Sequence, residues 1–89
     1  MKAIVTVVGP DRVGIIAEVC SLLASLQCNI VDISQTVMRE FFTMMMLVDT
    51  GTSSKTFDEI AEALQKKEEE TGLSIRIQRE DIFHAMHKI

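Results

Sequence analysis

The chain has 89 residues, 47% of them hydrophobic and 25% charged, with a formal net charge of −4. That is the length of one domain, and a chain this short buries only a little over ~60% of its unfolded surface, so a partner subunit is expected. Basic residues scattered along an acidic chain exclude the electrostatic footprint of a nucleic-acid binder, and a mean hydropathy of +0.22 excludes a disordered chain.

Residues 2–8, KAIVTVV, are mostly β-branched and apolar on both faces, which predicts a central strand. No signal peptide is expected, because Thr6 interrupts the apolar run and Pro10, Asp11 and Arg12 end it. The segment from Gly9 to Gly14 then concentrates Gly, Pro, Asp and Arg between strand and helix. Gly9 is read as taking backbone angles closed to other residues, and Pro10 as fixing the turn. Asp11 suits a helix N-cap, and Gly14 lets another group approach the first helical turn. Ile15, Ile16, Val19, Leu22, Leu23 and Leu26 recur at helical spacing, predicting an amphipathic helix over 12–27. Cys20 and Cys28 form neither a metal-ligand doublet nor a secreted framework. They read as small buried apolar residues of a reducing compartment, so the expected location is cytoplasmic.

NIVDISQTVMRE (29–40) alternates Val31, Ile33 and Val37 with Asp32, Ser34 and Thr36, as a half-buried edge strand should. FFTMMMLVDT (41–50) is apolar nearly throughout, so both its faces must be covered, and a tight turn near Arg39 to Phe42 makes the pair a β-hairpin. The apolar run is too short to cross a bilayer, so no membrane partner is expected. Met44, Met45 and Met46 point to alternate faces, which suits core filling. GTSS supplies a loop, and TFDE (56–59) has the form of a capping box between Thr56 and Glu59. The stripe Phe57, Ile60, Ala61 and Leu64 fades into KKEEE (66–70), where Lys66 and Glu70 lie one turn apart, before Gly72 stops the helix. LSIRIQRE (73–80) sets Leu73, Ile75 and Ile77 against Ser74, Arg76 and Gln78, a fourth strand.

The order β-α-β-β-α-β predicts an α+β, ferredoxin-like fold: a four-stranded antiparallel sheet with two helices on one face. This domain occupies 1–80. A short C-terminal helical tail, 81–89, carries Ile82, Phe83, Met86 and Ile89 at helical spacing. The sheet face without helices still receives apolar residues, drawn from Ile4 and Val8 or from Phe41, Met45 and Leu47. Its cover is expected from the tail, packing on the domain or on a second subunit, or from a second copy of the chain.

Fold alone does not give function. Free N–H groups at a helix start, with the positive end of the helix dipole, suit a carboxylate or a phosphate. The same Gly, Pro and Asp residues equally suit an ordinary strand-to-helix turn. Arg12 weighs toward an anion, since a cation beside that helix end is otherwise unfavourable.

GPDRVGIIAEV (9–19) followed by LASLQCNIVDISQ (23–35) resembles the signature of the ACT domain, a small ligand-binding module with the same element order. The ending REDIFHAMHKI (79–89), with no fused enzyme or DNA-binding segment, resembles the small stand-alone bacterial and archaeal members. The resemblance implies a regulatory module binding a small molecule, most often an amino acid, at an interface between two domains. It also implies a homodimer or a protein partner, and no catalytic residue, metal or cofactor. The implied ligand-binding positions are Gly9, Pro10, Asp11, Arg12, Val13, Gly14 and Ile15 in the loop, and Asn29, Ile30 and Asp32 on the second strand. Backbone N–H groups near Val13 to Ile15 could hold a carboxylate, and Asn29 or Asp32 could accept from an ammonium group. Asn29 also suits a helix-to-strand turn, and Asp32 a solvated edge-strand charge.

Two other functional classes fit less of the sequence. One is a structural dimerisation or adaptor subunit without a metabolite. The other is a small phosphatase using Arg12 on a phosphate and Asn29 on water, which has no base in the loop other than Asp11. His84 and His87 lie three apart but no further ligands complete a metal site. An RNA-binding version of the fold would want aromatic platforms, and the first strand has none.

Overall fold

The β-branched run at the start of the chain forms β1 (Lys2–Pro10), followed by α1 (Ile15–Ser25), β2 (Asn29–Met38), β3 (Phe41–Asp49), α2 (Phe57–Thr71) and β4 (Ser74–Arg79). The computed structural model describes residues 1–10 and 14–80. Strand order is β2-β3-β1-β4, with every neighbouring pair antiparallel, the ferredoxin-like arrangement expected from the sequence. The expected tail, 81–89, lies outside the described residues.

Alternation sorts the strands into two faces. Ala3 of β1 is buried, and Val5 and Val7 of β1 with Phe42, Met44, Met46 and Val48 of β3 form one buried cluster with Val19 and Leu23 of α1 and Ile60 and Leu64 of α2. The register pairs Ile4 with Leu47, Thr6 with Met45 and Pro10 with Phe41, so both predicted apolar sets, Ile4 with Val8 and Phe41 with Met45 and Leu47, share the opposite, helix-free face. The methionine run therefore splits, with Met44 and Met46 fully buried and Met45 half-buried on the other side.

The helix ends are set by local chemistry. At α2, Thr56 N donates to Glu59 Oε1 at 2.8 Å and Glu59 N donates to Thr56 Oγ1 at 3.2 Å, the expected capping box. Gly72 stops the helix at φ 76°. The expected Lys66–Glu70 pair is replaced by Lys67–Glu70, 3.7 Å apart and one position closer. Helix α1 is shorter than the predicted 12–27. Its C-terminus is a Schellman turn in which Cys28 N donates to Leu23 O (3.0 Å) and Gln27 N to Ala24 O (2.9 Å). Gln27 takes φ 61° there, a position usually filled by glycine. The GTSS loop returns to the same helix end, where Thr52 Oγ1 donates to Gln27 O (2.6 Å) and Ser53 Oγ to Leu26 O (2.5 Å). Cys28 is buried and Cys20 half-buried, and burial pushes both thiols above their ordinary pKa.

Two expectations about the strands are corrected. Strand β1 was predicted to end at Val8, yet it runs to Pro10 along β3. On its other side β4 reaches only to Val8, so the N–H that proline lacks costs no ladder bond there. Strand β2 was expected to be half-buried, yet only Ile30 of its ten residues is even partly covered. Val37 and Ile33 sit on the helix-facing side, opposite Phe42 and Met46, but are 56% and 37% exposed, β2 being terminal in the sheet.

Candidate functional site

Gly9 lies within β1 on the helix-facing side, and its φ is not positive. The expected need for unusual backbone angles is therefore replaced by a need for space: a Cβ at Gly9 would collide with Leu73 Cδ2, a side chain that is only 2% exposed. Pro10 is the last residue of β1, exposed and paired with Phe41. Asp11, Arg12 and Val13 lie outside the described residues. Gly14 holds the N-cap position expected for Asp11, at φ 90° and with no side-chain capping bond. An L residue is strained at that φ, although no described residue beyond its chain neighbours comes within 4 Å of the position a Cβ would take. Ile15 begins the helix.

The second group of residues lies on β2. Asn29 pairs with Asp49, Ile30 with Val48 and Asp32 with Leu47, the ladder being interrupted by a bulge at Val31. Strict alternation would send Asn29 and Asp32 to opposite faces. The extra residue puts both on the helix-free side and leaves Ile30 pointing at the core. Asn29 is exposed. Asp32 is exposed too, and its Oδ1 accepts from Ile33 N at 2.9 Å, which leaves the carboxylate further acceptor capacity. Sequence reasoning missed this bulge, for which no glycine or proline gave a signal.

Within one chain the strand residues of the two groups, Gly9 and Pro10 on β1 and Asn29 to Asp32 on β2, do not meet. Asn29 is level with Asp49 and Lys2, whereas Pro10 is level with Phe41 and Met38. Eight strand residues separate the two levels, about 26 Å at 3.3 Å per residue. The loop side and the Asn29–Asp32 side thus occupy opposite ends of one sheet.

The two sheet edges differ in a way that bears on this separation. At β4, the Glu68 carboxylate accepts from Ile75 N at 2.6 Å and meets Arg76 Nη1 at 3.3 Å, so a side chain occupies the edge. At β2, Val31, Ile33, Val37 and Met38 are exposed apolar residues along a ten-residue strand with no neighbouring strand on its outer side among the described residues. A depression of about 670 Å³ lies elsewhere, along α2, lined by Lys55, Glu59, Glu62, Lys66 and Leu26. Its walls are solvated charges of both signs and include none of the predicted site residues. Among the described residues, no three or more His, Cys, Asp or Glu side chains are grouped to hold a metal, and no helix is long and apolar enough to cross a membrane.

Comparison with known proteins places these features in context. Residues 2–78 match the profile of the ACT domain. A UPF0237 protein of Clostridium acetobutylicum is 52% identical over 89 residues, covering 100% of both chains. The solved structure of an ACT domain protein from Streptococcus pneumoniae superposes with a TM-score of 0.82 at 42% identity, covering 98% of each chain. The regulatory subunit of aspartate kinase from Thermus thermophilus superposes with a TM-score of 0.67 at 26% identity, covering 86% of this chain and 50% of that one.

Proposed function

The chain belongs to the ACT domain family, and from that premise we propose that it is a regulatory module binding a small metabolite, an amino acid, as a homodimer whose sites are shared between subunits. The observation that carries this reading is the placement of the two residue groups at opposite ends of a sheet whose β2 edge is apolar and unpaired. A two-fold, antiparallel pairing of β2 with the partner's β2 brings the partner's Asn29 level with Met38, at the end where β1 leads into the loop. Each site then sets the end of one subunit's sheet that leads into the loop beside the partner's Asn29 and Asp32. Backbone N–H groups of the loop after β1, together with Arg12, suit the carboxylate of an amino acid. Asn29 and Asp32, set on one face by the bulge, suit its ammonium group. Similarity to the regulatory subunit of aspartate kinase agrees with a regulatory role.

The test is a thermal-shift screen against the twenty amino acids and common anions, followed by subunit mixing. A ligand that binds only the folded state stabilises it by about 2.7 kcal/mol at 100 times its Kd. Arg12→Ala and Asn29→Ala should each abolish the shift, and a mixture of the two variants should regain part of it, because one site of each mixed dimer is intact. Binding that survives in either variant, or no recovery on mixing, would refute the shared site. The absence of any ligand would favour a structural adaptor.

A further inference from the structure

We infer that the amino acid taken by the shared site carries a large apolar side chain, which lies on Met38 and Phe41 of one subunit. This rests on the reading given above, in which two β2 edges pair. The helix-free face of the sheet changes character from end to end. At the Asn29 end it is polar across three strands, with Asn29 on β2, Asp49 on β3 and Lys2 on β1 in one row. At the opposite end the corresponding row is Met38, Phe41 and Pro10. Along β2 itself this face reads Asp32, Ser34 and Thr36 before Met38, so it turns apolar only beside the hairpin turn. Met38 and Phe41 are cross-strand partners, 69% and 57% exposed, and are the two most exposed large apolar side chains among the described residues. Apolar area gathered in this way marks a contact surface, unlike single apolar residues scattered over a surface.

Two-fold pairing of the β2 strands joins these unlike ends. Its axis stands normal to the sheet, so both helix-free faces stay on one side and the partner's Asn29 and Asp32 come beside Met38. The site is then polar on one flank and apolar on the other, which matches a zwitterionic head joined to an apolar chain. Met38 lies one strand spacing, about 4.8 Å, from the partner's strand, and Phe41 lies a second spacing beyond it. A short side chain on a head group held by the partner's Asn29 stops over Met38, whereas one the size of leucine, methionine or phenylalanine reaches Phe41 as well. A charged side chain laid on the same surface loses hydration and gains no partner from Met38 or Phe41. Arg39 and Glu40, in the exposed turn between the two strands, are the charged residues nearest to it in the chain.

Isothermal titration calorimetry of the full chain with leucine, phenylalanine, alanine, serine, glutamate and lysine reads the selectivity. Leucine or phenylalanine should bind about tenfold or more tightly than alanine and serine, the discrimination that an added hydrocarbon contact supplies. Glutamate and lysine should bind more weakly than either apolar amino acid. Phe41→Ala and Met38→Ala should each lower the preference for leucine over alanine several-fold, with sedimentation velocity reporting whether the dimer persists. Where an alanine variant dissociates the dimer, Phe41→Leu replaces it and should change the ratio of phenylalanine to leucine affinity several-fold, because the ring contact is lost. An unchanged ratio overturns the proposal, as does a leucine preference that both alanine variants keep. Tighter binding of serine, or of glutamate or lysine through Arg39 or Glu40, also overturns it and leaves the shared site standing. Binding of no amino acid at all removes the shared-site reading itself, and this proposal with it.

Discussion

Replacing Gly9 by alanine adds one methyl group where the structure has no room for it. The new Cβ would meet Leu73 Cδ2, and Leu73 Cγ lies 3.7 Å away. Leu73 is 2% exposed and packed in the main core, so it cannot swing into solvent. Overpacking of this kind costs about 1–3 kcal/mol. Against that, alanine restricts the unfolded chain and returns about 0.4–1 kcal/mol. The net loss is on the order of 1–2 kcal/mol, and each kcal/mol lowers Tm by about 4–8 °C in a domain of this size. Thermal unfolding followed by far-UV circular dichroism measures it directly. Leu73→Val removes the colliding atom at a cost of about 1 kcal/mol for the lost methylene. In that background Gly9→Ala should cost far less than it does alone. Gly9→Ala that melts with the wild type, or that loses the same amount in both backgrounds, would refute the steric argument.

Five further outcomes are expected. Gln27→Gly should raise Tm by several degrees, since glycine relieves about 1 kcal/mol of left-handed strain at the end of α1. Gly14→Ala should lower Tm, by about 1–2 kcal/mol of strain at φ 90°, and urea titration would measure it. The capping box has a pH signature. The hydrogen bond from the Thr56 backbone holds the Glu59 carboxyl below its ordinary value, so its contribution is present above the unfolded pKa of about 4.3 and is lost as pH falls through the lower folded value. The Tm difference between wild type and Glu59→Gln should therefore be constant above about pH 5.5 and disappear in acid. Thr56→Ala should cost about 1 kcal/mol at neutral pH. Finally, Val37→Lys, at an exposed position on β2, should leave the monomer fold intact and abolish dimerisation in sedimentation velocity. A dimer that persists would remove the β2 edge from the interface.

Much of the fold was legible because its signals are local. Thr56 and Glu59 sit within one turn of helix, and the alternation of Ile75 with Arg76 needs only the strand itself. Hydrophobic period and capping chemistry act over a few residues, so they fix element type and order before any tertiary contact forms. The motif at 9–19 and 23–35 likewise carried the family, which the whole-length relatives share.

The site was less legible, and the particular residues say why. Gly9 looked conformational but is spatial, because Leu73, sixty-four positions later in the chain, fills the place of its side chain. Asn29 and Asp32 should have faced opposite ways, and the Val31 bulge, which no residue type announces, turns them to one face. Their distance from the loop follows from strand register, a property of pairing between segments remote in sequence. The sequence by itself determined the elements, their order and the apolar stripes, since each depends on neighbours within a turn or a strand. Only the tertiary structure decided which edge stays open and which residues share a face, because register, bulges and close contacts are settled when distant segments pack together.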